Sequence, residues 1–365
     1  AEDGIRDYKV TGVQTCALPI LVAYRQFFSQ VGNLFALSAF FLIFSPLLGD
    51  GGRFSADAYK PWALVVAIFM GSTIFWSAWG TRSVIPLLPK APDGPRVGFI
   101  ALFRRLMVDF KSVAGNRNFR CLFMGVLMVF IMVGVTATLD IYMITYFWEL
   151  DDAIVLPVLV AYSVGNALGT FASVKLFAIF GKKNCLLAGG LAWAVFQVLP
   201  VILRLLDWFP ENNSVIAFLS IEMNYVMVLL VIFKIFQGFV TAQANVGYGS
   251  MMADVCDEHE YQTGRRQEGA FFAAVAFSAK ATSGFGAVIA GIGLEIIDWP
   301  TGPEIRTAAD VSSQTIVELG LFYGPIIASL GLISVWFYTG YKLTPERHAD
   351  MLGELASRRA QGREG

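Results

Sequence analysis

The charges in an otherwise apolar chain are where chemistry could lie. Lys280 is the single charge in the middle of the apolar run that begins at Gly269. At 1.5 Å per residue it sits roughly 16 Å along that run, near the middle of a hydrocarbon core ~30 Å thick. An ammonium at that depth must face a cavity or a partner, which makes it a candidate binding group; Asp140 is one partner to weigh. Arg25 lies near the start of the first apolar run and reads either as a solute contact or as an anchor snorkelling to the interface. Between Met252 and Gly269 stand Asp254, Asp257, Glu258, Glu260, Arg265, Arg266 and Glu268. Charges this dense cannot lie in hydrocarbon, so the stretch is predicted to be a water-exposed loop between two membrane helices. Its acids and bases could make and break ion pairs as a gate, or could form only solvated surface pairs of ~0–1 kcal/mol.

Other chemistries find little support. Cys256, Asp257 and His259 are ligand types, but their spacing fits no strong metal motif, and His259-Glu260 lacks the second histidine of a zinc-protease helix. No phosphate-binding glycine loop and no G-x-S-x-G turn occurs, so neither ATP hydrolysis nor a serine hydrolase is implied and the chain does not read as an enzyme. Cys16, Cys121, Cys185 and Cys256 form no CxxC and read as free thiols. A net charge of −1 argues against nucleic-acid binding.

The elements that must position these residues are membrane helices. The chain is 56% hydrophobic and only 15% charged, against about 25% charged in soluble domains. Its apolar runs last about 20 residues, which suits helices and not barrel strands. The fold class is therefore all-α, a polytopic helical bundle in a lipid bilayer. Eight spans are predicted, near 21–48, 62–79, 121–147, 153–180, 185–203, a sixth ending at Met252 with its start between Val215 and Val226, 270–297 and 316–338. Between the second and third, Phe99–Lys111 carries Phe99, Leu102, Phe103, Leu106, Met107 and Phe110 at helical spacing, which predicts an amphipathic interfacial helix. Ala279, Ser283, Ala287 and Gly291 recur every four residues beside Lys280 and predict a close helix-packing stripe.

Basic residues alternate between connections. Arg82 to Arg120, Lys182-Lys183, Arg265-Arg266 and the tail from Lys342 to Arg359 mark one side, which the positive-inside rule makes cytoplasmic, with the C-terminus on that side. Residues 1–20 differ from the rest: they are polar, aperiodic and do not begin with Met. They resemble the in-frame translation of a sequencing-library adapter. On that reading an upstream part is missing, and the chain as given is expected to insert without transporting.

The charged stretch also carries a resemblance. Met252-Ala253-Asp254, Asp257, Glu260, Gly264, Arg266, Glu268-Gly269 and Lys280 resemble the helix 10 to helix 11 region of the glycoside–pentoside–hexuronide:cation symporters, a major-facilitator branch that includes melibiose permease. The likeness covers almost the whole chain beyond residue 20, and its eight spans match the family's helices 5 to 12. It implies residues 21–80 as the end of the N-terminal half, 81–120 as the central cytoplasmic loop, 121–341 as the six-helix C-terminal half and 342–365 as a cytoplasmic tail.

The resemblance further implies cation-coupled uptake of a sugar, glycoside or hexuronide by alternating access. The coupling cation would be Na⁺ or H⁺, with no organic cofactor. The protein would be a monomer in a cell membrane, on the pattern of the bacterial inner membrane. Arg25, Lys280, Asn245, Ala276 and Ala279 fall at solute-site positions, and Asp254, Asp257, Glu260, Arg266 and Glu268 at the cytoplasmic gate. Asn245 stands where the melibiose-permease branch has an aromatic that stacks on sugar, and Val275 and Ala276 stand where it has polar contacts. A superfamily transporter of another solute, such as a lipid or amphipathic acid, and a polytopic membrane enzyme are the alternatives.

Overall fold

A computed structural model describes residues 24–44, 56–87, 99–150, 152–212, 214–218, 221–265, 267–302, 305 and 307–361. The reading of residues 1–20 and the candidate Arg266 lie outside them. Among the described residues, eight helices are long and apolar enough to cross a membrane. Contacts divide the chain into two units: Asn33–Arg105, and the residues up to Gly32 together with those from Leu106 onward.

Helix α1 (Tyr24–Ile43) and α2 (Ala56–Thr81) supply the spans nearest the N-terminus. Within the smaller unit they meet through aromatic rings: Phe40 stacks on Tyr59 at 5.2 Å, and Phe35 lies 6.2 Å from Phe69. The amphipathic helix expected near Phe99–Lys111 is present as α3 (Phe99–Gly115).

The larger unit holds six spans. They are α4 (Arg117–Tyr142) with a π turn to Phe147, α5 (Asp152–Phe180), α6 (Lys182–Leu205), α7 (Tyr225–Thr263), α8 (Glu268–Ile296), and α9 (Ser313–Leu321) continued through a π turn into α10 (Ile327–Thr339). Asparagine and serine side chains start several of them. Asn116 accepts from the Phe119 amide at 2.9 Å, Asn224 from Met227 at 2.9 Å and Ser312 from Thr315 at 3.1 Å, the capping that satisfies orphan N–H groups. A two-stranded hairpin, β1 (Val215–Phe218) paired with β2 (Ile221–Asn224), precedes α7. This fixes the start of the sixth span at Tyr225.

Packing orders these spans as an arc, α8–α4–α10–α6–α7–α5, whose two ends share no substantial contact among the described residues. The closest approaches use glycine. A methyl at Gly165 would strike the Ile235 carbonyl, and one at Gly238 the Tyr162 carbonyl, so α5 and α7 touch backbone to backbone as small residues permit. Gly238→Val is therefore expected to cut the yield of folded protein in membranes several-fold, with a cost above about 2 kcal/mol. Gly291→Val, where nothing lies within 4 Å, is the matched control; equal yields from both would contradict the packing.

Two expectations are corrected here. The predicted charged loop is helix. α7 runs 39 residues to Thr263 and stops at Gly264, which has φ 68°. That length is about 58 Å, nearly twice the ~30 Å hydrocarbon core. The charges reach water because the helix outruns the membrane, and a left-handed glycine, not the charge density, ends it. The second correction concerns α8. Its packing stripe is Ala274, Ser278, Thr282, Gly286 and Ala290, with a methyl at Gly286 meeting Gly134 Cα of α4 at 2.6 Å. Of the stripe predicted from Ala279, Ser283, Ala287 and Gly291, the Ser283 side chain lies outside those described; Ala279 is half-buried and Ala287 and Gly291 are exposed, off that contact.

Candidate functional site

On α8, Lys280 is exposed on the face opposite the packed stripe. At about 100° per residue, Ala273, Ala276, Gly284, Ala287 and Gly291 all project within roughly 40° of it about the helix axis. Each is small and exposed, so the ammonium stands on a low surface that leaves room for a solute. Of the other expected contacts, Ala276 shares this face and Ala279 flanks it.

Asn245 is exposed on α7, whose neighbours Ala242, Gln243, Val246 and Gly247 are buried against other helices. Arg25 is exposed near the start of α1. That start docks on α5: Gln26 Nε2 donates to Asn166 Oδ1 at 3.4 Å, and Phe27 lies 4.8 Å from Phe171. Arg25 thus belongs to the α5 end of the arc and Lys280 to the α8 end, with Asn245 on α7, the neighbour of α5. Asn166 is fully buried, and its Nδ2 finds no hydrogen-bond partner among the described residues. Sequence reasoning placed it within a span without assigning it a role; an amide in an apolar run was the available signal.

At the end of the bundle where α7 protrudes, the acids find partners on other elements. Asp254 accepts from Lys182 Nζ, on α6, at 2.8 and 3.0 Å. Asp257 lies 3.1 Å from His348 Nε2, and His348 Nδ1 is 4.0 Å from Asp254. His348 belongs to α11 (Pro345–Gln361), an amphipathic helix where only a charged tail was expected. Its Met351 and Leu355 are buried, Met351 joining the same core as Met252, Val255 and Cys256 of α7. Glu258 accepts from Asn116 at 3.0 Å and from Asn118 at 2.9 and 3.0 Å, and Asn118 Oδ1 takes the Lys342 amide at 2.8 Å. Lys183 donates to the Tyr341 and Thr339 carbonyls at 2.7 and 3.1 Å, a cation at the C-terminus of α10, where the helix dipole favours it.

The end of α7 is therefore clasped by the first turns of α4 and α6 and by α11. Burial, with the Asp254 and Glu258 carboxylates nearby, pushes the Tyr341 phenol well above its ordinary value, so it stays protonated in the clasp. His259 pairs with Gln267 at 2.8 Å across the turn into α8. Of the expected gate set, Asp254 and Asp257 sit in the clasp. Glu260 is half-buried on the same helix, and Glu268 is exposed at the start of α8.

These features make a six-span membrane bundle with a lysine on an exposed small-residue face and a polar clasp at one end. The chain belongs to the family described as MFS/sugar transport protein, which matches residues 20–345. Among curated relatives, it is 25% identical over 340 residues to a protein of Escherichia coli K12 named "Putative sulfoquinovose importer", covering 93% of this chain and 64% of that protein. It is 24% identical over 343 residues to one of the same name from Salmonella typhimurium LT2, covering 94% and 64%. The chain thus spans about two thirds of the length of these relatives.

Proposed function

We propose that this chain belongs to a cation-coupled symporter of an anionic sugar, working by alternating access in a cell membrane, with the Lys/Arg-rich end cytoplasmic. The observation that carries the reading is Lys280, an exposed ammonium on a small-residue face of a membrane helix, in a chain of the MFS/sugar transport family. An intramembrane cation marks a solute or ion path by default. Lys280 and Arg25 together offer two cationic donor sets, which favours a sugar bearing a carboxylate or sulfonate. The name of the two relatives, "Putative sulfoquinovose importer", is consistent with that class. Small neighbours such as Ala276 make this wall a poor hydrogen-bonding partner for a neutral sugar. The charge, and not a lattice of hydroxyl contacts, would supply most of the affinity.

The coupling cation is proposed to be Na⁺ or H⁺, because a cation and an anionic solute that stabilise the same states are taken up together. The experiment is uptake of radiolabelled sulfoquinovose, glucuronide and neutral galactoside in proteoliposomes of the gene's full reading frame, under an imposed Na⁺ or proton gradient. Saturable uptake of an anionic sugar that rises with one gradient supports the reading. Preference for the neutral galactoside, or uptake indifferent to both gradients, overturns it.

A further inference from the structure

A second polar site lies inside the arc, away from Lys280. Asp140 of α4, Gln197 of α6, Lys234 and Gln237 of α7 and Tyr323 of the α9–α10 turn line a cavity of about 60 Å³. None of the described residues of α1 or α8 lines it. Lys234 lies about 14 Å beyond the start of α7, so the site is well inside the span.

Hydrogen bonds run through it. Lys234 Nζ donates to Gln237 Oε1 at 3.2 Å, Gln237 Nε2 to Gln197 Oε1 at 2.8 Å, and Gln197 Nε2 to the Tyr323 carbonyl at 3.2 Å. The Tyr323 hydroxyl donates to Asp140 Oδ1. The two charges line one cavity without direct contact. A water needs roughly 10–15 Å³ of such space and two to four polar partners. The cavity therefore has room for a few waters but falls far short of the ~300 Å³ at which small-molecule pockets begin.

We propose that Asp140 and Lys234 form a water-bridged ion pair, and that this pocket is a binding site for ordered water which holds α4, α6, α7 and the α9–α10 turn together. A lone charge at this depth is costly, and a balanced, hydrogen-bonded pair is tolerated. Two charges, two amides and a phenol from four separate stretches of chain are arranged so that each charge has both a direct donor or acceptor and a counter-charge across the water.

The pair can be tested on the purified chain in detergent through tryptophan-monitored thermal unfolding. Asp140→Asn and Lys234→Gln are each expected to lower the midpoint by more than about 5 °C, because each strands the opposite charge. The double variant, which leaves no charge, is expected to recover at least half of the larger loss. Where a single variant fails to accumulate in membranes, the double must restore it. Additive losses, unaffected singles or a double no better than the worse single would each overturn the pair. Water is tested independently by radiolytic hydroxyl-radical labelling. Tyr323, which is 5% exposed, is expected to be modified well above Tyr338, which is 4% exposed and lines no part of this cavity. Equal, background labelling of both would show the pocket to be dry and would overturn the water site.

Discussion

Lys280→Ala is expected to reduce solute uptake by the full-length transporter ten- to a hundredfold while leaving its amount in the membrane near wild type. The expression half of this result follows from the packing. Lys280 lies on the exposed face of α8, whereas Gly286, which meets Gly134 of α4, and the buried Ser278 and Thr282 lie on the opposite side. Truncating the side chain disturbs none of that contact. The uptake half follows from charge. A charged hydrogen bond to an anionic solute is worth about 1.5–3 kcal/mol, or roughly a factor of ten to a hundred and fifty. Lys280→Arg should recover only part of the loss, because a planar fork has a different reach and direction from a compact ammonium. Radiolabelled uptake normalised to immunoblotted protein measures both variants. Wild-type rates from Lys280→Ala would remove Lys280 from the solute path.

The spans and Lys280 were legible because hydropathy reports the medium a segment occupies, and a lone charge in an apolar run breaks that report. Hydropathy does not report conformation. The stretch from Ala253 to Thr263 read as a loop because its charges need water, yet the chain there holds no helix breaker before Gly264. The geometry that ends a helix, a glycine at φ 68°, was a better guide than polarity. The stripe on α8 was misplaced for a related reason. Small residues recur on two faces of that helix, and composition cannot say which face meets α4 and which is left open beside Lys280.

The partners of the clasp were not legible at all. Asp254 and Lys182 are 72 positions apart, and Glu258 and Asn116 are 142 apart. His348 lay in a segment read as a solvated tail, where the alternation of Met351 and Leu355 with charged residues signals an amphipathic helix only once a surface to dock on is known. Asp140 and Lys234 could each be placed in a span, but their convergence on one cavity needed the arc order of the helices.

Breaking the clasp is expected to have the second large effect. Asp254 is nearly buried and carries Lys182 on one side and His348 on the other. Asp254→Ala would leave the Lys182 ammonium, itself partly covered, without its carboxylate. It would also remove one of the two α7 carboxylates that face His348 of α11. Lys182 retains some access to water, so the cost falls below the 3–5 kcal/mol of a fully buried broken pair; about 2 kcal/mol is expected. On the proposed alternating-access reading, with two closures of similar free energy, that amount suffices to change the population of the clasped one by roughly thirtyfold.

Cys256 gives a direct readout of the opening. It lies two residues along α7, is 4% exposed and belongs to the same buried core as Met351. Maleimide labelling, quantified on the Cys256 peptide by mass spectrometry, should be slow in the wild type and at least several-fold faster in Asp254→Ala. The charge-exchanged pair Asp254→Lys with Lys182→Asp should return part of the protection, because it restores opposite charges between α6 and α7 though not the His348 contact. Reduced uptake should accompany faster labelling in the single variant. If Cys256 stays protected in Asp254→Ala, the apolar contacts of Met351 and Leu355 alone hold this end closed, and the acids of α7 are not its gate.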